Sequence, residues 1–307
     1  MKHRFIRRRD PLIRKLNLME ESDTDRLLEQ LCDVQSPQIV GFLNQHGYNI
    51  AQKDTAVFRN FSRFNYLLRD GIGIKLACEL NGLAPKANLN GSDFIPRLID
   101  RLIRNHQGSY EFFAMGTMEP WLSKGSRALF QGHAYHGVDG FQSIEAYLAW
   151  FRSRRTPGKT PVVVLAMGMP KQEELAVRLQ REIDGPALLI CGGAILDFAA
   201  QRFPRAPTAF RKTGLEWAFR LMMEPRRLFN RYAVGIPLFF FYLSRNAMGT
   251  PLTVQQWSVV QRERLLARQV RSAVKPLTEP PSALRSGYRV KEGETLTGPG
   301  IGTSTQP

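Results

Sequence analysis

Apolar residues run along this chain in two alternating periods. Short unbroken apolar runs stand at "PQIVGFL" (37–43), "YEFFAMG" (110–116), "PVVVLAMG" (161–168) and "PALLICGG" (186–193). They are rich in β-branched and aromatic residues or bounded by Pro and Gly, a pattern that predicts buried strands. A further run, "FNYLLRDGIGI" (64–74), ends in an Asp-Gly turn. Between these runs the spacing becomes helical. In "DFIPRLIDRLIRN" (93–105), Ile95, Leu98, Ile99, Leu102 and Ile103 fall on one face. "IKLACELNGL" (74–83) reads as a helix stopping at Asn81-Gly82, and "SIEAYLAWFRS" (143–153) and "QEELAVRLQREI" (172–183) read as two more. A helix containing Trp121 and Leu122 follows the strand at 110–116.

Strands that alternate with helices predict right-handed βαβ units. The expected fold is therefore α/β: a Rossmann-like, mostly parallel sheet flanked by helices. Such sheets bind ligands beyond the carboxyl ends of their strands. After Gly193 no further strong strand is predicted, only a helical C-terminal appendage around 215–223 and from Pro225 onward. The chain divides into a variable basic leader (1–35) with room for one helix, an α/β catalytic domain (36–201), the appendage (202–250) and a tail (251–307). The tail is polar and rich in Pro, Gly, Ser and Thr, a composition that predicts disorder.

Charge sharpens the picture. The 307 residues carry a formal net charge of +16. From Gln201 to Pro307 there are 17 Lys+Arg against 6 Glu and no Asp, which places +11 of that excess on the last third. An anionic partner follows: nucleic acid, anionic lipid or diphosphate. Residues 205–232 set Arg and Lys among Trp, Phe, Leu and Met, with two Glu to balance them. The longest apolar run, "AVGIPLFFFYL" (233–243), is interrupted by Pro237 and falls short of the ~20 residues that cross a bilayer. The basic N-terminus is followed by no apolar run, so no secretory signal is read there. Cys32, Cys78 and Cys191 are far apart, which supports neither a disulfide framework nor a zinc site and suits a reducing cytoplasm. His133 and His136 have no third ligand beside them, so no metal site is expected.

Four stretches carry candidate chemistry. Asp70 stands where a strand gives way to Gly71 and Gly73; it is either a turn residue or a carboxylate placed to accept a proton from a substrate hydroxyl. In "NLNGSDFIPRLI", Asn90, Gly91 and Asp93 precede an amphipathic helix, as a cap or as a helix N-terminus facing a nucleotide or sugar. Gly168 ends the strongest strand, and Lys171, Gln172 and Glu173 open the next helix. Amides there, with Lys171, could receive a phosphate, while Gln172 suits sugar or uracil groups. Gly192 and Gly193 repeat the strand-to-glycine pattern, with Asp197 beyond. No Walker loop and no GxGxxG turn is present.

Taken together, these stretches resemble the WecG/TagA/CpsF glycosyltransferases (glycosyltransferase family 26). The resemblance rests on "FLN…KD" around Asn44 to Asp54, "DGIGI" at 70–74, "NGSD" at 90–93, "GMPKQE" at 168–173, "GGAILDF" at 192–198, "RAP" at 205–207 and "GLEWAFRLMMEPRRLFNRY" at 214–232. It implies an inverting, metal-independent transfer of a sugar from a UDP-sugar to a saccharide on a polyprenyl diphosphate. The place implied is cytoplasmic, peripheral on the inner face of the bacterial inner membrane. It implies Asp70 as the base, Asn44 and Gln172 in the active site, and Arg205, Arg220, Arg227 and Arg231 on a diphosphate. No cofactor and no metal is expected. Many members carry Arg where this chain has Asn88. No active-site arginine is carried over to that position, and an exopolysaccharide-type hexosyltransferase stands beside N-acetylmannosamine transfer as the expected activity. The expected partners are the UDP-sugar, the lipid-linked saccharide and an anionic membrane surface, not nucleic acid; oligomeric state is left open. The rival readings are a basic nucleic-acid-binding protein and a non-catalytic nucleotide-binding α/β protein.

Overall fold

Every run predicted as a strand contains one in the computed structural model, which describes residues 10–105, 109–204, 206–207, 210 and 216–247. The strands are β1 (Pro37–Leu43), β2 (Tyr66–Arg69), β3 (Tyr110–Gly116), β4 (Tyr135–Val138), β5 (Thr160–Ala166) and β6 (Ala187–Cys191). They form one sheet in the order β2-β1-β6-β5-β3-β4, with every pairing parallel. The helices between them are α1 (Thr24–Cys32), α2 (Gln45–Lys53), α3 (Thr55–Arg63), α4 (Ile72–Leu80), α5 (Gly91–Asn105), α6 (Trp121–Leu129), α7 (Ile144–Arg154), α8 (Lys171–Glu182) and α9 (Ile195–Ala199). Beyond them lie α10 (Glu216–Met223), α11 (Pro225–Phe229), a π-helical turn at Asn230–Val234, and α12 (Gly235–Ala247).

Strand side chains alternate between two cores because successive Cβ atoms leave opposite faces of a strand. Val162 and Val164 join Val40, Phe112, Leu188 and Ile190 beneath α1, α5, α6 and α9. Val163 and Leu165 join Ile39, Phe113 and Leu189 beneath α3, α7, α8 and α12. Both faces are therefore covered, which explains why these strands read as continuous apolar runs. The fold is the α/β Rossmann-like sheet that the periodicity predicts.

Two boundaries differ from the sequence reading. The segment assigned to a leader folds into the body from Asp10 onward. Leu12 and Ile13 are fully buried, and α1 packs on α5 under ion pairs from Arg97 and Arg101 to Asp25 and Glu29. The appendage, likewise, ends in a helix of the core: α12 buries Phe239, Tyr242 and Leu243 among residues of α2, α3 and α8. Pro237 does not interrupt that helix, since it lies in the first turn, where a missing N–H costs nothing. At 1.5 Å per residue the 13 residues of α12 span only about 20 Å. No helix among the described residues is long and apolar enough to cross a membrane. The tail beyond residue 250 lies outside the described residues.

A buried polar knot joins the two ends of this body. The Asp10 carboxylate is 2% exposed. It accepts from the Tyr48 hydroxyl at 2.6 Å and from the Asn246 amide at 2.7 Å. Asn246 Nδ2 also lies 2.8 Å from the Tyr48 oxygen and 3.1 Å from Gln52 Oε1. Asn49 of α2 adds a bond from Nδ2 to the Gly235 carbonyl at 2.7 Å. The last helix is thus held against α2 by polar groups that are costly to leave unpaired. We expect Asn246→Ala to lower unfolding free energy by about 1–3 kcal/mol, measured by denaturant titration. An unchanged midpoint would remove the knot from the fold's stability.

Candidate active site

Because all six strands run parallel, their carboxyl ends share one edge. A cavity of about 950 Å³ opens there. Its floor is made of the residues that leave each strand: Asn44 after β1, Asp70 after β2, Thr117 after β3, Gly140 and Phe141 after β4, Gly168 after β5, and Gly192 and Gly193 after β6. Gly71, Gly73, Asn90, Gly91, Gln172, Arg220 and Arg231 also line it. Most of the expected site residues are therefore brought to one place.

Asp70 is half-buried at this floor. Asn44 caps α2, its Oδ1 accepting from the Gly47 amide at 3.0 Å, and its Nδ2 donates to Asp70 Oδ2 at 3.3 Å. One side chain thus starts a helix and aims a carboxylate. Shielding from water raises the Asp70 carboxyl above its ordinary range, opposed by the Asn44 hydrogen bond and by the guanidiniums of Arg220, Arg231 and Arg69. Gly71 follows with φ +87°, a conformation that favours glycine, and its amide donates to Asn88 Oδ1 at 2.8 Å. Asn88 therefore anchors the turn after the carboxylate. Behind it the buried Arg69 donates to the carbonyls of Ala87, Gly71 and Lys86 at 3.1, 3.2 and 3.0 Å.

Arg220 and Arg231 line the same cavity from α10 and the π-helical turn, and their charge bears on this carboxylate. On one straight helix Arg220, Arg227 and Arg231 would fall within about 60° of one another. The chain instead breaks at Glu224 and restarts with Pro225. Arg220 still faces the cavity, stacked on the Phe198 ring at 4.7 Å. The side chain of Arg227 and all of Arg205 lie outside the described residues.

Three expected site residues point elsewhere. Lys171 turns to the Gly140 carbonyl at 3.0 Å and the Tyr147 ring at 5.1 Å, so it pins the loop after β4 and does not line the cavity. Asp93 is exposed outside the cavity and accepts from Asn90 Nδ2 at 2.8 Å, while Asn90 Oδ1 accepts from the Asp93 amide at 3.0 Å. That is a helix cap. Glu173 faces inward, 1% exposed. It accepts from Gln172 Nε2 at 2.7 Å, and Gln172 Oε1 accepts from the Gly193 amide at 2.9 Å. Gln172 thereby ties the start of α8 to the glycine loop after β6. Glu173 Oε2 has no hydrogen-bond partner among the described residues, and burial pushes this carboxyl up to about 7.

Several cavity residues were not expected from the sequence. Half-buried His46 is pushed down to about 4 by burial and by Arg231, so its imidazole is neutral at physiological pH. Thr117 Oγ1 donates to Asp197 Oδ1 at 2.6 Å, and Arg202 pairs with the same carboxylate oxygen at 3.1 Å. An apolar wall of Trp217, Ile236, Phe239 and Phe240 closes one side. Thr117 stands at a strand end and could have been found by the rule that found Gly168. Among the described residues no group of three or more His, Cys, Asp or Glu side chains is placed to hold a metal ion.

A doubly covered parallel sheet with the Asp70 carboxylate and the guanidiniums of Arg202, Arg220 and Arg231 in one cleft at its carboxyl edge defines an α/β protein built to hold a polar, anionic ligand. The sequence model of the glycosyl transferase WecG/TagA/CpsF family matches residues 13–252. The chain belongs to that family, and its reaction is glycosyl transfer.

Glu173 generates a test of the site's packing. Its folded carboxyl titrates near 7, against an ordinary value near 4.5. The folded state therefore holds the extra proton between those values, and stability falls as pH rises through that window. Glu173→Gln keeps an acceptor for Gln172 and removes the charge. We expect the variant to gain on the parent as pH rises from 5 to 8, by on the order of 3 kcal/mol at the upper end, followed by denaturant midpoints. A constant difference across that range would refute the assignment.

Proposed function

We propose that this protein transfers a sugar, with inversion, from a UDP-sugar to a saccharide carried on a polyprenyl diphosphate, in bacterial exopolysaccharide or surface-polysaccharide synthesis. The observation that carries the reading is the placement of Asp70, Arg220 and Arg231 around one cavity. Asp70 takes the proton from the acceptor hydroxyl. That oxygen attacks the anomeric carbon from the face opposite the nucleotide, and the carbon–oxygen bond to UDP breaks with its electron pair left on the β-phosphate. One displacement inverts the centre. Arg220 and Arg231 stabilise the departing diphosphate by charge-assisted hydrogen bonds, the role a divalent ion plays in other glycosyl transfers. A raised carboxyl near such cations suits a general base, since burial strengthens its pull on a proton while the guanidiniums keep it ionised.

The same segment supplies the reason to place the protein on the inner face of the inner membrane. Met222, Met223, Phe229, Val234, Phe240 and Phe241 are exposed on α10 to α12, beside exposed Arg226. Clustered apolar side chains with basic neighbours suit the interface of an anionic bilayer. Nucleic acid is the weaker partner for this surface, because its basic residues alternate with large aliphatic side chains as well as aromatic ones.

Asp70→Asn should abolish transfer, by at least 10³-fold in kcat, while retaining the fold and UDP binding read by calorimetry. Full activity would remove Asp70 from the mechanism. Arg220→Ala and Arg231→Ala should each lower kcat by roughly 10–100-fold, and a chelator should leave turnover unchanged. Loss on chelation with rescue by magnesium would overturn the role given to the arginines. Truncating the last helices is a poor test of membrane binding, since α12 is part of the core. Phe229→Ser with Phe241→Ser removes exposed groups only. That pair should weaken sedimentation with anionic vesicles by about tenfold.

A further inference from the structure

Helix α4 carries an apolar row that the rest of the described structure covers only in part. Ile74, Ala77 and Cys78 bury one side of the helix. Ile72, Leu76 and Leu80 recur every four residues on another, at 40%, 36% and 52% exposure. A surface helix ordinarily spends such positions on polar residues. Lys75 and Glu79, paired at 3.9 Å, are the polar residues of its outer surface.

The stripe begins inside the cavity. Ile72 stands two residues after Asp70, and both Ile72 and Leu76 line the cavity wall; Leu80 continues the row outward. Phe240 of α12, 46% exposed, lines the same cavity as Ile72 and Leu76. The two helices meet at Gly73, where an added Cβ would lie 3.7 Å from the Phe239 ring. Asp70, Ile72 and Leu76 share the cavity lining, and Leu80, outside it, is the most exposed of the row. From Ile72 to Leu80 the row spans about 12 Å at the rise of an α-helix.

We propose that this row is a track for the first isoprene units of the acceptor lipid, which leave the cavity between α4 and α12. The proposal rests on the lipid-linked acceptor of the proposed function and adds where its hydrocarbon runs. The acceptor's sugar hydroxyl belongs at Asp70, and the apolar row leads from beside Asp70 to an exposed helix face, the direction in which a hydrocarbon tail must leave. Contact with a bilayer surface explains outward-facing residues such as Phe241, but not apolar side chains in the cavity wall; those are reached by a single chain that enters the mouth.

The test uses the full chain and two acceptors with the same diphosphate-linked saccharide, one on a long polyprenyl chain and one on a short water-soluble alkyl chain. In Leu76→Ser/Leu80→Ser the ratio of kcat/KM for the long over the short acceptor should fall about tenfold, with vesicle sedimentation unchanged. Leu80→Ser alone, at the exposed end, should give a smaller fall in the same direction and guards against a folding defect at Leu76. An unchanged ratio, an equal loss on both acceptors, or a loss of vesicle binding in parallel would each overturn the track. If the parent enzyme transfers to neither lipid acceptor but does transfer to a free saccharide, the acceptor reading itself fails. If it transfers to both and the variants do not discriminate between them, only the track fails.

Discussion

A base that works inside a cleft must be shielded from water and still carry charge, and the structure meets both demands at Asp70. Shielding alone would keep the proton on. The amide of Asn44 and three guanidiniums pull the other way. Only Arg69 comes from the strand that bears the carboxylate; the other groups come from elsewhere. Asn44 belongs to the start of α2, and two of the arginines belong to the last quarter of the described chain. The chemistry thus depends on long-range packing: displace α10 to α12 and Asp70 loses two of its three guanidiniums and a wall against solvent.

This dependence explains which parts of the protein could be read from the sequence. Strands buried on both faces announce themselves as apolar runs, and α5 by its period, so the sheet and most of its helices were legible. The edge strand β4 was not: "YHGV" is short and partly exposed, with no run to mark it. Nor were α2 and α3, whose capping residues Asn44 and Asp54 are the clearest local marks of where they start.

The site divides in the same way. Residues at strand ends, such as Gly168 and Gly193, could be placed by topology, and the roles of Asp70 and the arginines came through family resemblance. Side-chain direction could not be read. Lys171 and Glu173 are neighbours of Gln172, yet the first reaches a loop after β4 and the second points into the core. In the first turn of a helix, successive residues are about 100° apart, so adjacency in a motif says little about which one meets a ligand. His46 and Arg202 reach the cavity by tertiary contacts that no local pattern encodes.

The knot of Asp10, Tyr48 and Asn246 has a consequence for biosynthesis. Its members are first, early and last in the described body, and a ribosome delivers them in that order. Until Asn246 emerges, a buried carboxylate near the amino terminus lacks one of its two side-chain donors and the cleft lacks its aromatic side. A nascent chain can close its sheet at β6, some fifty residues sooner, but remains an open, inactive intermediate. The cleft is therefore completed only once Asn246 has left the ribosome, and segments made far apart in time become partners in space.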